Sequence, residues 1–329
     1  MTGQGLTDPR RTPTAQGVAV AAARVAALLP PTPLLPLDLH GVTIWCKAEC
    51  DQPVGAFKIH GGIHRIADLT EEQAARGVVA FSSGNHAQGV AWAAKERGIA
   101  ATMVMPSDAP AAKVEGTRRL GANVIFYERM TESREDIAAR IAEETGATVI
   151  PSFDDPWIVE GQGSCGHEIR AQMIAQLGQG PDRLLICCGG GGLASGSALA
   201  NPEARIAVVE PEGWDDMGAS LRHGVIQPLG PNPPPTACDA LQTLKVSPIT
   251  FDILRARGAV GISVNEEEVA AAMRIAWTRL GRMVEPGGAV ALAAALAGKV
   301  ELSDRTALTL SGGNVDPATF TRLTGIDLS

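Results

Sequence analysis

Gly77-Val78-Val79-Ala80-Phe81 runs directly into Ser82-Ser83-Gly84-Asn85-His86, and a segment rich in Ala, Val, Trp and charge follows to Arg97. A short apolar run, a joint of small polar residues and a longer mixed segment read as strand, turn and helix. The unit recurs. Ala101-Thr102-Met103-Val104-Met105 is the next strand, stopped by Pro106, and Ala111 to Leu120 is a helix ended by Gly121. Asn123-Val124-Ile125-Phe126-Tyr127 and then Ser133 to Thr145 repeat the pair, with Gly146 beyond, and Ala147-Thr148-Val149-Ile150 closes the series. Strand and helix alternating across short joints predict an α/β fold of open, twisted, mainly parallel sheets flanked by helices.

The alternation resumes beyond Gly161. Leu184-Leu185-Ile186-Cys187 reads as a strand entering four glycines, Leu193 to Leu199 as a helix, and Arg205 to Val209 as a strand ending at Glu210. Pro228 to Pro235 is a proline-rich loop. Glu267 to Leu280 and Ala289 to Ala297 read as helices, and Thr306 to Leu310 as a strand. Upstream, Val18 to Pro30 is rich in Ala, Leu and Val but interrupted by Arg24, the pattern of a packed helix. Periodicity alone leaves open which segments share a domain.

With 329 residues the chain can fold as two domains or one large one. It is 45% hydrophobic and 19% charged, as a globular protein is. Its net charge of −8, without a basic cluster, argues against nucleic acid as a partner. No apolar run is long enough to cross a bilayer, and the polar stretch Met1 to Gln16 lacks a signal-peptide core, so a cytoplasmic location is expected. The six cysteines contain no CxxC pair, which disfavours zinc; Cys187 and Cys188 end an apolar run and read as small core residues.

Four segments carry chemistry. Lys58 lies in Ala56-Phe57-Lys58-Ile59-His60-Gly61-Gly62. A lone lysine is usually a surface residue, but one that is held and partly desolvated offers a reactive amine. Gly189-Gly190-Gly191-Gly192-Leu193 follows a strand and opens a helix, so several N–H groups can face one anion. It has neither the ending of a nucleotide P-loop nor the spacing of a dinucleotide fingerprint. Ser82 to His86 links strand to helix in the same way and suits a carboxylate, although Ser83 would also serve as a plain helix cap. The fourth is Ser311-Gly312-Gly313-Asn314. A lysine, two anion cradles and a late serine, in that order, are what pyridoxal phosphate requires.

At these residues the chain resembles the fold-type II pyridoxal phosphate enzymes, tryptophan synthase β-like in architecture, and within them the threonine/serine dehydratase and serine racemase family. The resemblance extends from about Thr32 to Val315. It implies a small inserted α/β domain, 60–151, within a large cofactor-binding domain built from 1–59 and 152–329, with the cofactor in the cleft between them. It further implies that Lys58 is the Schiff-base lysine and that Phe57 packs beside the ring. Gly189, Gly190, Gly191, Gly192 and Leu193 would hold the phosphate, Asn85 the phenolic oxygen, and Ser311 the ring nitrogen. Ser82, Ser83, Gly84, Asn85 and His86 would bind substrate, with Ser83 a second acid/base on the opposite face. A hydroxyl at the ring nitrogen leaves that nitrogen largely unprotonated and weakens the electron sink, which suits prompt loss of a β-substituent.

In metal-activated relatives the residues matching Glu210 and Asp216, with the carbonyl at the Trp214 position, bind a divalent cation; Mg2+, Ca2+ or Mn2+ suits such oxygen ligands. A solvated acidic turn at Glu212, Asp215 and Asp216 is the plainer reading. The chain departs from the common Ser-Phe-Lys-Ile-Arg-Gly-Ala form at Ala56, His60 and Gly62, and from Ala-Asp-Gly in the Cys238-Asp239-Ala240-Leu241-Gln242-Thr243 stretch, so carry-over of substrate is least safe there. His60, two residues past Lys58, should point elsewhere and mark a change in packing. Arg134 can meet a second substrate carboxylate or sit solvated at a helix start. The expected activity is dehydration of serine, threonine or 3-hydroxyaspartate to a 2-oxo acid and ammonia. A racemase of serine or an aspartate-type amino acid is the alternative. A homodimer is the family habit.

Overall fold

The computed structural model describes residues 11–82, 84–109, 111–128 and 130–328. Ten strands form two sheets: β1 (Leu34–Leu39), β2 (Val42–Ala48), β3 (Val78–Phe81), β4 (Ala101–Pro106), β5 (Asn123–Tyr127), β6 (Thr148–Val149), β7 (Arg183–Cys187), β8 (Arg205–Pro211), β9 (Val260–Val264) and β10 (Thr306–Leu310). One sheet has the order β5-β4-β3-β6 and is parallel throughout. The other has the order β1-β2-β10-β7-β8-β9 and is parallel except for the β1–β2 pair. The expected α/β architecture of mainly parallel sheets flanked by helices is therefore found.

The smaller sheet comes wholly from the stretch that decided the fold. Its strands are too short and too alternating to be buried by one layer alone. Val78, Ala80, Met103 and Met105 face one apolar cluster, which the Lys58–Ala67 and Asn85–Arg97 helices complete with Ile59, Ile63, Ala87 and Val90. Val79, Val104 and Tyr127 face a second cluster closed by Ala138 of the Arg134–Thr145 helix. This is the period-two alternation of a strand with two covered faces. The larger sheet takes strands from both sides of that stretch, and its core gathers Ile44, Leu184, Ile186, Val208 and Leu308 against the Pro286–Leu296 helix.

A 22-residue helix, Pro156–Leu177, joins the two regions and is buried along its first half. It starts with the Asp155 carboxylate accepting the Ile158 N–H and with Pro156 in its first turn, both favourable there. Its small residues let neighbouring backbones approach. A Cβ on Gly161 would lie 2.6 Å from Gly61 Cα, and one on Gly163 2.7 Å from the Gly196 carbonyl oxygen. Close contact with the Lys58–Ala67 and Gly192–Ala200 helices places the lysine and the glycine run on one side of the molecule. Among the described residues no helix is long and apolar enough to cross a membrane.

Candidate active site

Parallel strands discharge their loops at their carboxyl ends, and ligands of open α/β sheets collect there. β3 ends at Ser82, β7 at the glycine run and β10 at Ser311, and residues from all three ends line one cavity with the start of the Lys58–Ala67 helix. Phe57, Lys58, Ser82, Gly84, Asn85, His86, Gly189, Gly190, Gly191, Gly192, Leu193 and Ser311 all belong to its wall. Ser83 lies outside the described residues.

Lys58 is tied to the Ser311 loop through the backbone. The Phe57 N–H donates to the Ser311 carbonyl at 3.0 Å, the Gly313 N–H to the Gly55 carbonyl at 2.9 Å, and Ala56 bridges Gly312. The Lys58 ammonium donates to the Ser152 carbonyl at 3.0 Å and lies 5.2 Å from the Phe57 ring centroid. Desolvation brings its pKa down to about 8, although Lys58 keeps part of its surface open to the cavity.

The Gly192–Ala200 helix starts beyond Gly191, which has φ 87° and ψ 0°, and no side chain caps it. Its first N–H groups are therefore available to an anion. Gly190 has no room for a side chain, because a Cβ would lie 2.2 Å from the Phe153 ring. The Asn85–Arg97 helix likewise starts at Gly84 without a side-chain cap, and Lys113 Nζ lies 3.3 Å from where a Gly84 Cβ would be. Two uncapped helix starts on one cavity, one of them beside a cation, suit two separate anionic groups.

The Asn85 amide is fixed on both sides. Its Nδ2 donates to Glu285 Oε1 at 2.5 Å, and its Oδ1 accepts from Asn314 Nδ2 at 2.8 Å. Ser311 is buried, and the Cys187 thiol donates to its Oγ at 3.0 Å. Burial pushes the Cys187 thiol up to about 11, so it stays protonated. His86 Nε2 hydrogen-bonds the Ile150 carbonyl at 2.9 Å, and burial beside the Lys58 charge takes its pKa down to about 3. It is a neutral imidazole with Nε2 as donor.

Several lining residues carry no motif signal: Ser152, Phe153, Lys113 and Glu285. The acidic residue before Pro286-Gly287-Gly288 was the available sign of Glu285. His60 does point away. Its Nε2 meets Glu49 Oε2 at 2.9 Å and its Nδ1 meets Ser164 Oγ at 2.6 Å, in a buried group with Lys47 and Gln52. Arg134 lines the cavity, with its guanidinium carbon 5.5 Å from the Phe81 ring centroid, and it also meets Glu135 at 2.9 Å.

These features meet the needs of pyridoxal phosphate: a low-pKa lysine, an uncapped glycine-rich helix start, and a buried hydroxyl on one cavity. The family model for pyridoxal-phosphate dependent enzymes matches residues 25–312. The chain belongs to that family. Over 320 residues it is 39% identical to an L-threo-3-hydroxyaspartate ammonia-lyase of Saccharomyces cerevisiae, covering 94% of this chain and 96% of the relative. It is 38% identical over 321 residues to a serine racemase of Schizosaccharomyces pombe, covering 94% and 97%. The solved structure of maize serine racemase superposes with a TM-score of 0.87 at 36% identity, covering 95% of this chain and 97% of that one. Lyases and racemases of this family are thus about equally similar to the chain.

The metal expectation concerns a different place. Glu210, Trp214 and Asp216 are buried at and beyond the end of β8. Glu210 Oε1 and Oε2 accept the Met217 and Gly218 N–H groups at 3.0 and 2.8 Å. Among the described residues neither carboxylate oxygen of Asp216 has a hydrogen-bond partner. Burial raises the Asp216 carboxyl to about 7, and burial together with Asp216 raises Glu210 well above the usual range. Among the described residues no cluster of three or more His, Cys, Asp or Glu side chains is placed to hold a metal. A cation here would need main-chain oxygen beside the two carboxylates, and the unsatisfied Asp216 oxygens fit one.

Proposed function

We propose that this chain is a pyridoxal phosphate-dependent ammonia-lyase that dehydrates a β-hydroxy amino acid to a 2-oxo acid and ammonia. The reading is carried by the convergence of Lys58, the two uncapped helix starts and the Ser311 hydroxyl on one cavity. The bound cofactor supplies an electron-withdrawing ring that makes the Cα proton of an amino acid acidic. Gly189 to Leu193 would hold its phosphate with main-chain N–H groups, Phe57 would pack beside its ring, and Ser311 Oγ would face the ring nitrogen. Ser82, Gly84, Asn85 and His86 frame the helix start that takes the substrate carboxylate, with Lys113 as its counter-charge. Lys58 Nζ takes the Cα proton as general base, which its depressed pKa allows near neutral pH. A hydroxyl partner at the ring nitrogen would weaken the electron sink and favour prompt loss of the β-hydroxyl, which would take up one proton and leave as water. A second water would then replace the amino group, giving the 2-oxo acid and ammonia.

Serine, threonine and 3-hydroxyaspartate all fit that chemistry. Arg134, a second cation in the cavity lining besides Lys113, favours a substrate with a second carboxylate, as does the similarity to a hydroxyaspartate ammonia-lyase. The alternative, racemisation, draws support from the equally similar serine racemase and needs Ser83 opposite Lys58. We further propose that 1–59 with 152–329 and 60–151 form the two bodies of the cleft. Glu210, Asp216 and the Trp214 carbonyl would bind a divalent cation, and the enzyme would act as a cytoplasmic homodimer.

Proton NMR in D2O with L-serine, L-threonine and the 3-hydroxyaspartates, with and without Mg2+, tests the proposal. Oxo-acid signals that vanish in Lys58→Ala are expected, strongest for a hydroxyaspartate. Loss of the Cα–H signal with the amino acid retained would replace the lyase reading with the racemase.

A further inference from the structure

Glu285 is a fully enclosed carboxyl that none of the motifs uses. It is 2% exposed, lines the active-site cavity and stands at the N-terminus of the Pro286–Leu296 helix without capping it by its side chain. Its Oε1 receives Asn85 Nδ2 at 2.5 Å and lies 2.2 Å from where a Gly312 Cβ would be, so it is wedged between Asn85 and the Ser311 loop. Its Oε2 is buried and has no hydrogen-bond partner among the described residues. A buried oxygen in that state is costly unless a proton or a bound group satisfies it. An apolar residue would fill the space without that cost, and a glutamine would accept from Asn85 equally well. What a carboxyl adds is charge, and a proton it can hold or release.

We propose that Glu285 is a positioning residue of this site: by accepting the Asn85 amide on Oε1 it turns the second Asn85 N–H towards the bound cofactor, and its charge, passed on through that hydrogen bond, sets how strongly Asn85 donates there. The Asn85 amide cannot rotate away, because Asn314 holds its other end at 2.8 Å. The groups facing Glu285 are Lys113 of the Ala111–Arg119 helix, whose charge favours the carboxylate, and Asp239, whose charge opposes it. The Cys187 and Cys238 thiols also sense it and, being raised by burial, remain neutral. Burial keeps the Glu285 proton to about pH 7, so the carboxyl changes charge within the working range of the enzyme. The inference rests on the Asn85 role proposed above and on cofactor binding, but not on the identity of the substrate.

The test is spectroscopic and needs no turnover. The holoenzyme and its Glu285→Gln, Asn85→Ala and double variants are titrated with pH while the visible band of the bound cofactor and its dissociation constant are followed. An anion that accepts one Asn85 N–H weakens the other as a donor to the cofactor's phenolic oxygen and leaves the linked nitrogen more basic, so Glu285→Gln should lower the midpoint of the band by about one unit in the wild-type background. It should have no further effect once Asn85 is alanine. An unchanged midpoint in Glu285→Gln, or an equal shift with and without Asn85, overturns the proposal. Should the glutamine variant not fold, Glu285→Asp keeps the charge but withdraws the acceptor from Asn85. It is expected to bind the cofactor at least about threefold more weakly; wild-type affinity in it would overturn the proposal equally. Absence of oxo-acid production would sink the lyase reading and leave these spectral outcomes standing.

Discussion

An amine that attacks an aldehyde must be neutral, and Lys58 is placed to release its proton near pH 8. Its neighbours are the Phe57 ring and the Ser152 carbonyl, with no carboxylate to hold its charge. With the pKa brought from 10.5 to about 8, the neutral fraction rises tenfold per pH unit up to about 8 and then levels off. The rate at which apoprotein captures pyridoxal phosphate should follow that curve, and stopped-flow absorbance checks it. A rate still rising steeply above pH 9 would mean that the amine is not desolvated. Lys58 was legible because Phe57 and Gly61-Gly62 flank it and three other motifs follow. Glu285 and Lys113 were not, since an acidic residue before Pro-Gly or a lysine on an amphipathic helix is common, and only the fold turns them inward.

At the level of elements, glycines do two kinds of work that look alike in the sequence. In the run from Gly189 to Gly192 they expose main-chain N–H groups, and Gly191 adopts the left-handed backbone that favours glycine. Gly190→Ala sets a methyl against the Phe153 ring and should weaken cofactor binding by tenfold or more, about 1.4 kcal/mol. Equilibrium titration of the apoprotein measures this, and an unchanged affinity would show that the loop has slack. In Pro156–Leu177 the glycines instead let helices touch. That helix was missed in the sequence because its first half is buried on every side and shows no apolar stripe, while Gly161, Gly163 and Gly166 look like breaks. The local pattern that announces a helix needs a solvent-facing side. The β1–β2 pair and β9 also went unread, being half-exposed, with Pro36 interrupting the apolar run of β1.

Across the whole molecule, side-chain contacts join the two sheet regions at the site. Lys113, on the Ala111–Arg119 helix of the small-sheet region, pairs with Asp239 of the large-sheet region at 2.6 Å. The Asn85–Glu285 bond crosses in the same sense. Elsewhere the Glu210–Asp216 pair is a liability without a cation. Because the Asp216 carboxyl is raised from 3.8 to about 7, the stability it forfeits grows as pH climbs from about 4 through 7 and is fully lost above that. A bound divalent cation would cancel that loss and compete with protons for the same oxygens. Mg2+ should therefore raise the unfolding temperature more at pH 8 than at pH 6, and Asp216→Asn should abolish the difference. Differential scanning fluorimetry would reveal it, and a pH-independent response would place the cation elsewhere.

Taken by itself, the sequence determined the alternation of strands and helices, the sheet class and the order of the lysine, glycine and serine motifs. These depend on hydrophobic period and on residues whose backbone demands are local. The tertiary structure alone decided the pairing of β10 between β2 and β7, which brings Ser311 back beside Lys58 across more than two hundred residues. It also decided the inward turn of Glu285, Lys113 and Arg134. Contacts between distant segments are set by how whole faces pack, and that information is spread over both partners and written in neither.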